Sequence, residues 1–259
     1  MKPSTFIINS KKKEDNDHLI ELIEHALVNK GFVKTDVSPE YVFVLGGDGS
    51  MMRSIHQYGF DSKYLLINTG HLGFYSDYSA AEIKEFINDL DKDEFIEEHV
   101  PLYEVKLNGQ IHYFLNDFAI QSGETCFLDI SVNNELLTKV RANGIVISTP
   151  VGTTGYLTSL ASPVVIGKPK IYQYSTIAPC YNRLSLNPIN KAILDNLEEL
   201  KVDIKEGLIE TYLDGILRTD LIANSYSFKG CQEKSVCILH LKKISETKRL
   251  RKNISGLED

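Results

Sequence analysis

The stretch that decides how this chain is read is Tyr41-Val42-Phe43-Val44-Leu45-Gly46-Gly47-Asp48-Gly49-Ser50. Its first five residues are β-branched, aromatic or aliphatic, the composition of a buried strand. The run stops at Gly46, and a short helix pattern follows. In an open parallel sheet, ligands bind beyond the carboxyl ends of the strands. Glycines there let backbone N–H groups approach a phosphate, and a helix N-terminus favours an anion. Asp48 is the peculiar element, because a carboxylate repels phosphate. It makes sense beside a sugar hydroxyl or a magnesium ion carried by phosphate. The plain alternative is a tight turn with a capping Asp. G-x-x-x-x-G-K-[ST] is absent, and the third glycine of a dinucleotide fingerprint is missing.

Outward from this stretch, strand and helix patterns alternate. Phe6-Ile7-Ile8 and Tyr64-Leu65-Leu66-Ile67-Asn68 read as strands. Leu19, Leu22, Ile23, Ala26 and Leu27 form one apolar helix face, and Gly31 is placed to close that helix. Ser79 and Glu82 form a capping box before a face of Ile83, Phe86, Ile87 and Leu90. Strands separated by helices predict a parallel sheet covered on both sides.

After Pro101 the grammar changes. Asn108-Gly109 separates two strand-like runs, 103–107 and 111–115, and Asn133-Asn134 separates 127–132 from 135–140. Both are hairpin signals. Further strands are expected at 200–204, 208–213 and 236–241. The basic stretch Lys242 to Lys252 reads as terminal surface. The expected organisation is an α/β domain at 1–100, a mainly antiparallel β domain at 101–240, and a C-terminal segment at 241–259.

Composition excludes several function classes. The 259 residues are 42% hydrophobic and 24% charged, too apolar for a disordered chain. No apolar run is long enough to span a membrane, and the charged 11–15 run cuts short any secretory signal, so the expectation is a cytoplasmic protein without a membrane partner. A net charge of −7 argues against nucleic acid as a partner. Four cysteines without C-x-x-C spacing and seven scattered histidines predict no fixed protein metal site.

Three more stretches are candidates for chemistry. Asn68-Thr69-Gly70-His71-Leu72-Gly73-Phe74 follows a strand. Leu115-Asn116-Asp117 ends one, and Asn plus Asp can grip a ribose diol or an adenine edge, although the pair is also common turn chemistry. From Asn143 to Tyr156, an apolar run ends in Ser148-Thr149-Pro150-Val151-Gly152-Thr153-Thr154-Gly155-Tyr156, a junction rich in hydrogen-bonding groups. A helix-like pattern follows at 156–161.

In this order, together with a second Asp-Gly at Asp214-Gly215, these stretches resemble the NAD kinase family, whose members carry G-G-D-G-T, N-x-G-x-L-G-F, N-E and D-G-x-x-x-S-T-P-x-G-S-T-A-Y. The resemblance spans roughly residues 5 to 240. It implies an N-terminal Rossmann-like α/β domain and a C-terminal antiparallel, β-sandwich-like domain, with the C-terminal segment packing back on the first. It also implies transfer of the γ-phosphoryl of ATP, with Mg²⁺ or another divalent metal, to the 2′-hydroxyl of the adenosine ribose of NAD, giving NADP in a homodimer or homotetramer.

By matched position, the resemblance makes Asp48 the catalytic residue, orienting or deprotonating that hydroxyl. Gly46, Gly47 and Gly49 let the phosphates approach. Leu72 and Phe74 form an apolar wall beside adenine. Asn116 and Asp117 hold the adenine and ribose edges, and Asn143 approaches the nicotinamide amide. Thr154, Gly155, Tyr156 and Ser159 line the dinucleotide cleft, and Asp214 belongs to the site through the second Asp-Gly. The departures are Ser50 for Thr, Asp117 for Glu, Asn143 for Asp, Gly155 for Ala, and Ala161-Ser162 for a glycine pair. Two other readings stay open: a catalytically weak NAD- or NADP-binding sensor, and a related G-G-D-G kinase acting on a lipid or sugar phosphate.

Overall fold

The computed structural model describes residues 3–70, 73–92, 94–181 and 188–251. By chain contacts it divides into two compact units, Met1–Val100 with Ser235–Asp259, and Pro101–Lys234.

In the first unit the strands are β1 (Thr5–Ser10), β2 (Val33–Lys34), β3 (Tyr41–Gly46), β4 (Lys63–Asn68) and β5 (Tyr78–Ser79), and the helices are α1 (Lys13–Asn29), α2 (Asp48–Tyr58) and α3 (Ile83–Asp91). β2, β1, β3 and β4 pair in parallel in that order, as the alternating pattern predicts. Phe6, Ile8, Phe43, Leu45, Leu65 and Ile67 point to one face, where they meet Ile23, Ala26 and Leu27 of α1 and Ile83, Phe86 and Leu90 of α3. Val42, Val44 and Leu66 are buried on the opposite face, with Met51, Met52 and Ile55 of α2. Gly31, at φ 84, ends α1. Its N–H donates to Val28 O and that of Phe32 to Leu27 O, the paired bonds of a Schellman motif. The Ser79 N–H donates to the Glu82 carboxylate at 2.8 Å, completing the expected capping box.

The chain enters the second unit within β6 (Ile96–Leu107) and leaves it within β15 (Ser225–His240). Between them lie β7 (Gln110–Phe114), β8 (Asp117–Val132), β9 (Glu135–Ser148), α4 (Tyr156–Ser159), β10 (Ile171–Ile177), β11 (Lys191–Asp195), β12 (Leu200–Glu206), β13 (Glu210–Leu213) and β14 (Ile216–Leu217). β11, β10, β9, β8, β12 and the start of β15 form an antiparallel sheet. Inward residues of β8, β9, β10 and β12 enclose one core with Tyr103, Phe114, Tyr226 and Phe228. Both expected hairpin turns are present, each with two positive φ values: Asn108 and Gly109 at 50 and 79, Asn133 and Asn134 at 49 and 67.

Some expectations need correction. β8 begins ten residues before the predicted 127, because its first part pairs with both β9 and β13. β15 likewise begins well before 236. The helix expected at 156–161 is four residues long and ends before Ala161, whose φ is 50. The tail from Lys242 is not all surface. Helix α5 (Glu246–Leu250) carries Arg249, whose side chain is only 11% exposed and pairs with Asp77. Lys252 lies outside the described residues.

Candidate functional site

In the first unit, Gly46 ends β3 at φ 158, and a Cβ there would sit 2.4 Å from Ser50 Oγ. Gly47 is the N-cap of α2 and Asp48 its first residue. The Gly46 carbonyl accepts the Thr69 N–H at 3.2 Å, so the G-G-D-G turn is tied to the loop after β4. That loop begins with Asn68, whose Oδ1 accepts the Gly70 N–H at 2.9 Å. The Asp48 carboxylate then accepts two consecutive backbone donors, Phe74 N–H at 3.0 Å and Tyr75 N–H at 3.2 Å. Burial raises the Asp48 pKa and these two donors oppose the rise, leaving it above the usual carboxylate value. The result is a fixed carboxylate of increased basicity at the carboxyl ends of β3 and β4. Phe74 is half-buried beside it, with its ring edge-on to Tyr75. Leu72, expected to share an apolar wall with Phe74, lies outside the described residues.

Behind this loop is a cluster that sequence reading missed. Asp77 accepts from the Leu241 N–H at 3.1 Å and from Arg249 Nη2 at 2.7 Å. The His240 ring has Nδ1 3.0 Å from Asp77 and Nε2 2.9 Å from Glu98. Burial alone would lower the His240 pKa; the two carboxylates outweigh it and raise the value. Arg249 acts in the opposite sense. No local pattern announces this cluster, because its members are far apart in sequence.

In the second unit, two stretches converge on residues 115–117, the 214–215 turn and the 148–155 junction. The Asp214 carboxylate accepts the N–H groups of Leu115 at 3.0 Å, Asn116 at 2.6 Å and Asp117 at 3.2 Å. Asp214 and Gly215, at φ 51 and 72, form the turn between β13 and β14 that aims this carboxylate inward. Asp214 therefore lies behind the Asn-Asp stretch. Asp117 is buried next to it, and burial followed by the Asp214 charge pushes its pKa up to about 7. A Cβ on Gly155 would come 3.6 Å from Asp117 Oδ2, so this carboxyl lies close to the 155–156 backbone.

The hydroxyl-rich junction divides into two roles. Thr149 Oγ1 donates to Leu115 O at 2.6 Å, Ser148 Oγ to Asn116 O at 3.2 Å, and Thr153 Oγ1 to Pro150 O at 2.8 Å while accepting the Val165 N–H. Ser148 and Thr149 thus tie the junction to residues 115–116, and Thr153 ties it to itself. Thr154 and Tyr156 remain half-exposed, and Gly155 and Ser159 are exposed, with Ser159 Oγ donating to Tyr156 O. A Cβ on Gly152 would lie 2.0 Å from Asn116 O, which requires glycine there. Asn143 sits at an irregularity: Gln121 pairs with Gly144 and Cys126 with Ala142, so Asn143 alone faces residues 122–125. Its Nδ2 reaches Ser122 O at 3.4 Å.

Among the described residues, one group of metal-ligand side chains converges, Glu97, His99 and Cys237. Lys63 Nζ already pairs with Glu97 at 2.6 Å, placing a cation there. No described helix is long and apolar enough to cross a membrane.

A model described as the ATP-NAD kinase C-terminal domain matches residues 115–229. In fold the chain is similar to dinucleotide kinases. It matches the crystal structure of yeast NADH kinase complexed with NADH at a TM-score of 0.80, with 19% identity, over 98% of this chain and 88% of that one. It matches an NAD kinase from Archaeoglobus fulgidus in complex with ATP at 0.73, with 19% identity, over 98% and 97%. An NAD kinase of Limosilactobacillus reuteri subsp. reuteri (strain JCM 1112) is 30% identical over 186 residues, covering 68% of this chain and 69% of that protein. One of Streptococcus pneumoniae (strain 70585) is 30% identical over 246 residues, covering 91% and 87%. The chain belongs to the NAD kinase family.

Proposed function

We propose that this protein is an NAD kinase, an ATP:NAD 2′-phosphotransferase that converts NAD to NADP. The observation that carries the reading is Asp48, intact in its G-G-D-G turn and fixed by two backbone donors. A ribose hydroxyl is a poor nucleophile, so it needs a positioned carboxylate to orient it or take its proton. Both effects require the carboxylate to be held still before substrate arrives.

Within the first unit, the backbone of Gly46, Gly47 and Gly49 receives phosphates and Phe74 offers an apolar face to adenine. Within the second, Asn116 and Asp117 hold the adenine and ribose edges, Thr154 to Tyr156 and Ser159 line the dinucleotide, and Asn143 approaches the nicotinamide amide. Asp214 acts on the dinucleotide indirectly, by fixing the 115–117 backbone. Mg²⁺ or another divalent metal would arrive with the phosphate oxygens and keep several of its waters. When bound, it neutralises charge on the triphosphate. A cytoplasmic homodimer or homotetramer is the setting this reading implies.

The test is a coupled assay with ATP, Mg²⁺ and NAD. NADP should form with the wild-type chain, and Asp48→Ala should abolish turnover without loss of fold. No NADP from folded protein, across donors and metals, would overturn the reading. Tight NAD binding without turnover would mark a sensing protein instead.

A further inference from the structure

The loop from Gly73 to Asp77 is held at two sides, and both attachments are polar. At the front, Asp48 takes the Phe74 and Tyr75 N–H groups. At the back, Arg249 spans the loop: Nη1 donates to Phe74 O at 3.4 Å and Nη2 to Asp77 Oδ1 at 2.7 Å. The same Asp77 carboxylate takes the Leu241 N–H and lies against His240. Arg249 is delivered by local structure. Ser245 caps α5, its Oγ accepting the Lys248 N–H at 3.2 Å and its carbonyl the Arg249 N–H at 3.1 Å. One guanidinium thus fixes the carbonyl of Phe74, the residue whose N–H reaches Asp48. The planar fork of Arg suits two contacts at once, and Lys cannot reproduce both.

We propose that Arg249, acting through Asp77 and the Phe74 carbonyl, is a positioning residue that holds the 73–77 loop so that its N–H groups fix Asp48. Arg249, carried on α5, then supports the phosphoryl-transfer machinery from behind the loop. The inference rests on the kinase reading above, but its first test is independent of activity.

That test is amide hydrogen exchange, resolved by residue, on the full chain and on Arg249→Ala, Arg249→Lys and the exposed control Lys243→Ala. Removing Arg249 should speed exchange at Phe74 and Tyr75 by about tenfold or more while strands β8 and β9 keep their protection. In NADP formation, kcat should fall by about tenfold or more, further than the KM for NAD rises through Phe74, because Asp48 acts on the reacting hydroxyl. Arg249→Lys should fall between wild type and Ala in both readouts, and Lys243→Ala should match wild type. Unchanged exchange at Phe74 and Tyr75 in folded Arg249→Ala overturns the proposal. So does a rise spread evenly over the chain, which would make Arg249 a residue of general stability. If Ala does not fold, the Lys variant decides by the same two criteria. Absence of NADP from the wild type would instead remove the kinase reading and leave the exchange result to judge the loop.

Discussion

The Asp214 carboxylate accepts the Asn116 N–H at 2.6 Å, a bond between residues 98 positions apart. With the bonds to Leu115 and Asp117, it makes one buried carboxylate the anchor of the Asn-Asp stretch. Asp214→Ala leaves those buried donors without their acceptor. A hydrogen bond to a charged group contributes about 1.5–3 kcal/mol, so chemical denaturation should show a loss of that order or more. If Asn116 and Asp117 hold the dinucleotide as proposed, the KM for NAD should rise more than kcat falls.

Asp117 should make stability depend on pH. Its folded value of about 7 lies above the usual carboxylate value, so the folded state holds a proton that the unfolded chain releases. The stability tied to that proton is present in acid and is lost as pH rises from the unfolded value through about 7. Asp117→Asn removes the effect. Its melting temperature should match wild type near pH 4 and exceed it increasingly up to pH 8, by thermal denaturation in matched buffers.

His240 has a raised value for a different reason, its two carboxylate neighbours Asp77 and Glu98. The protonated ring contributes stability that is fully present below the unfolded histidine value and lost as pH rises through the higher folded value. His240→Gln should therefore be most destabilised relative to wild type in mild acid. The gap should narrow in alkaline buffer. A gap independent of pH would show that packing, rather than charge, holds the ring.

Gly152 meets Asn116 O so closely that Gly152→Ala must displace backbone. The expected loss is about 1–3 kcal/mol, typical of overpacking, with weaker dinucleotide binding by calorimetry. Gly109, at φ 79 with open space around it, is the contrast. Alanine there is strained in its turn but displaces nothing, so binding should be retained.

The sequence makes legible whatever is encoded by neighbours. Asn-Gly and Asn-Asn turns require positive φ at both positions, and these residues tolerate it, so two hairpins could be placed in advance. The strand, glycine turn and helix around Asp48 were legible for the same reason. The inward carboxylate of Asp214 was not, because only the β13–β14 turn against 115–117 reveals its direction. Nor was the division of the hydroxyls at 148–154, where identical chemistry serves loop or surface according to which way each side chain faces. Arg249 was the hardest, since a basic tail looks like solvated surface until Asp77, far earlier in the chain, is brought beside it.

The first unit takes its strands and helices from two ends of the chain, whereas the second is continuous. During synthesis, Asp77 leaves the ribosome long before His240 and Arg249 exist to meet it. The continuous unit draws its residues from one uninterrupted stretch and can fold once that stretch has emerged, since domains generally fold as units. The ion cluster behind Asp48 must wait for the segment beginning at Ser235. Until that segment has emerged, the loop behind Asp48 lacks the His240 and Arg249 that brace Asp77. Competence for phosphoryl transfer is then acquired only after both stretches of the first unit have left the ribosome.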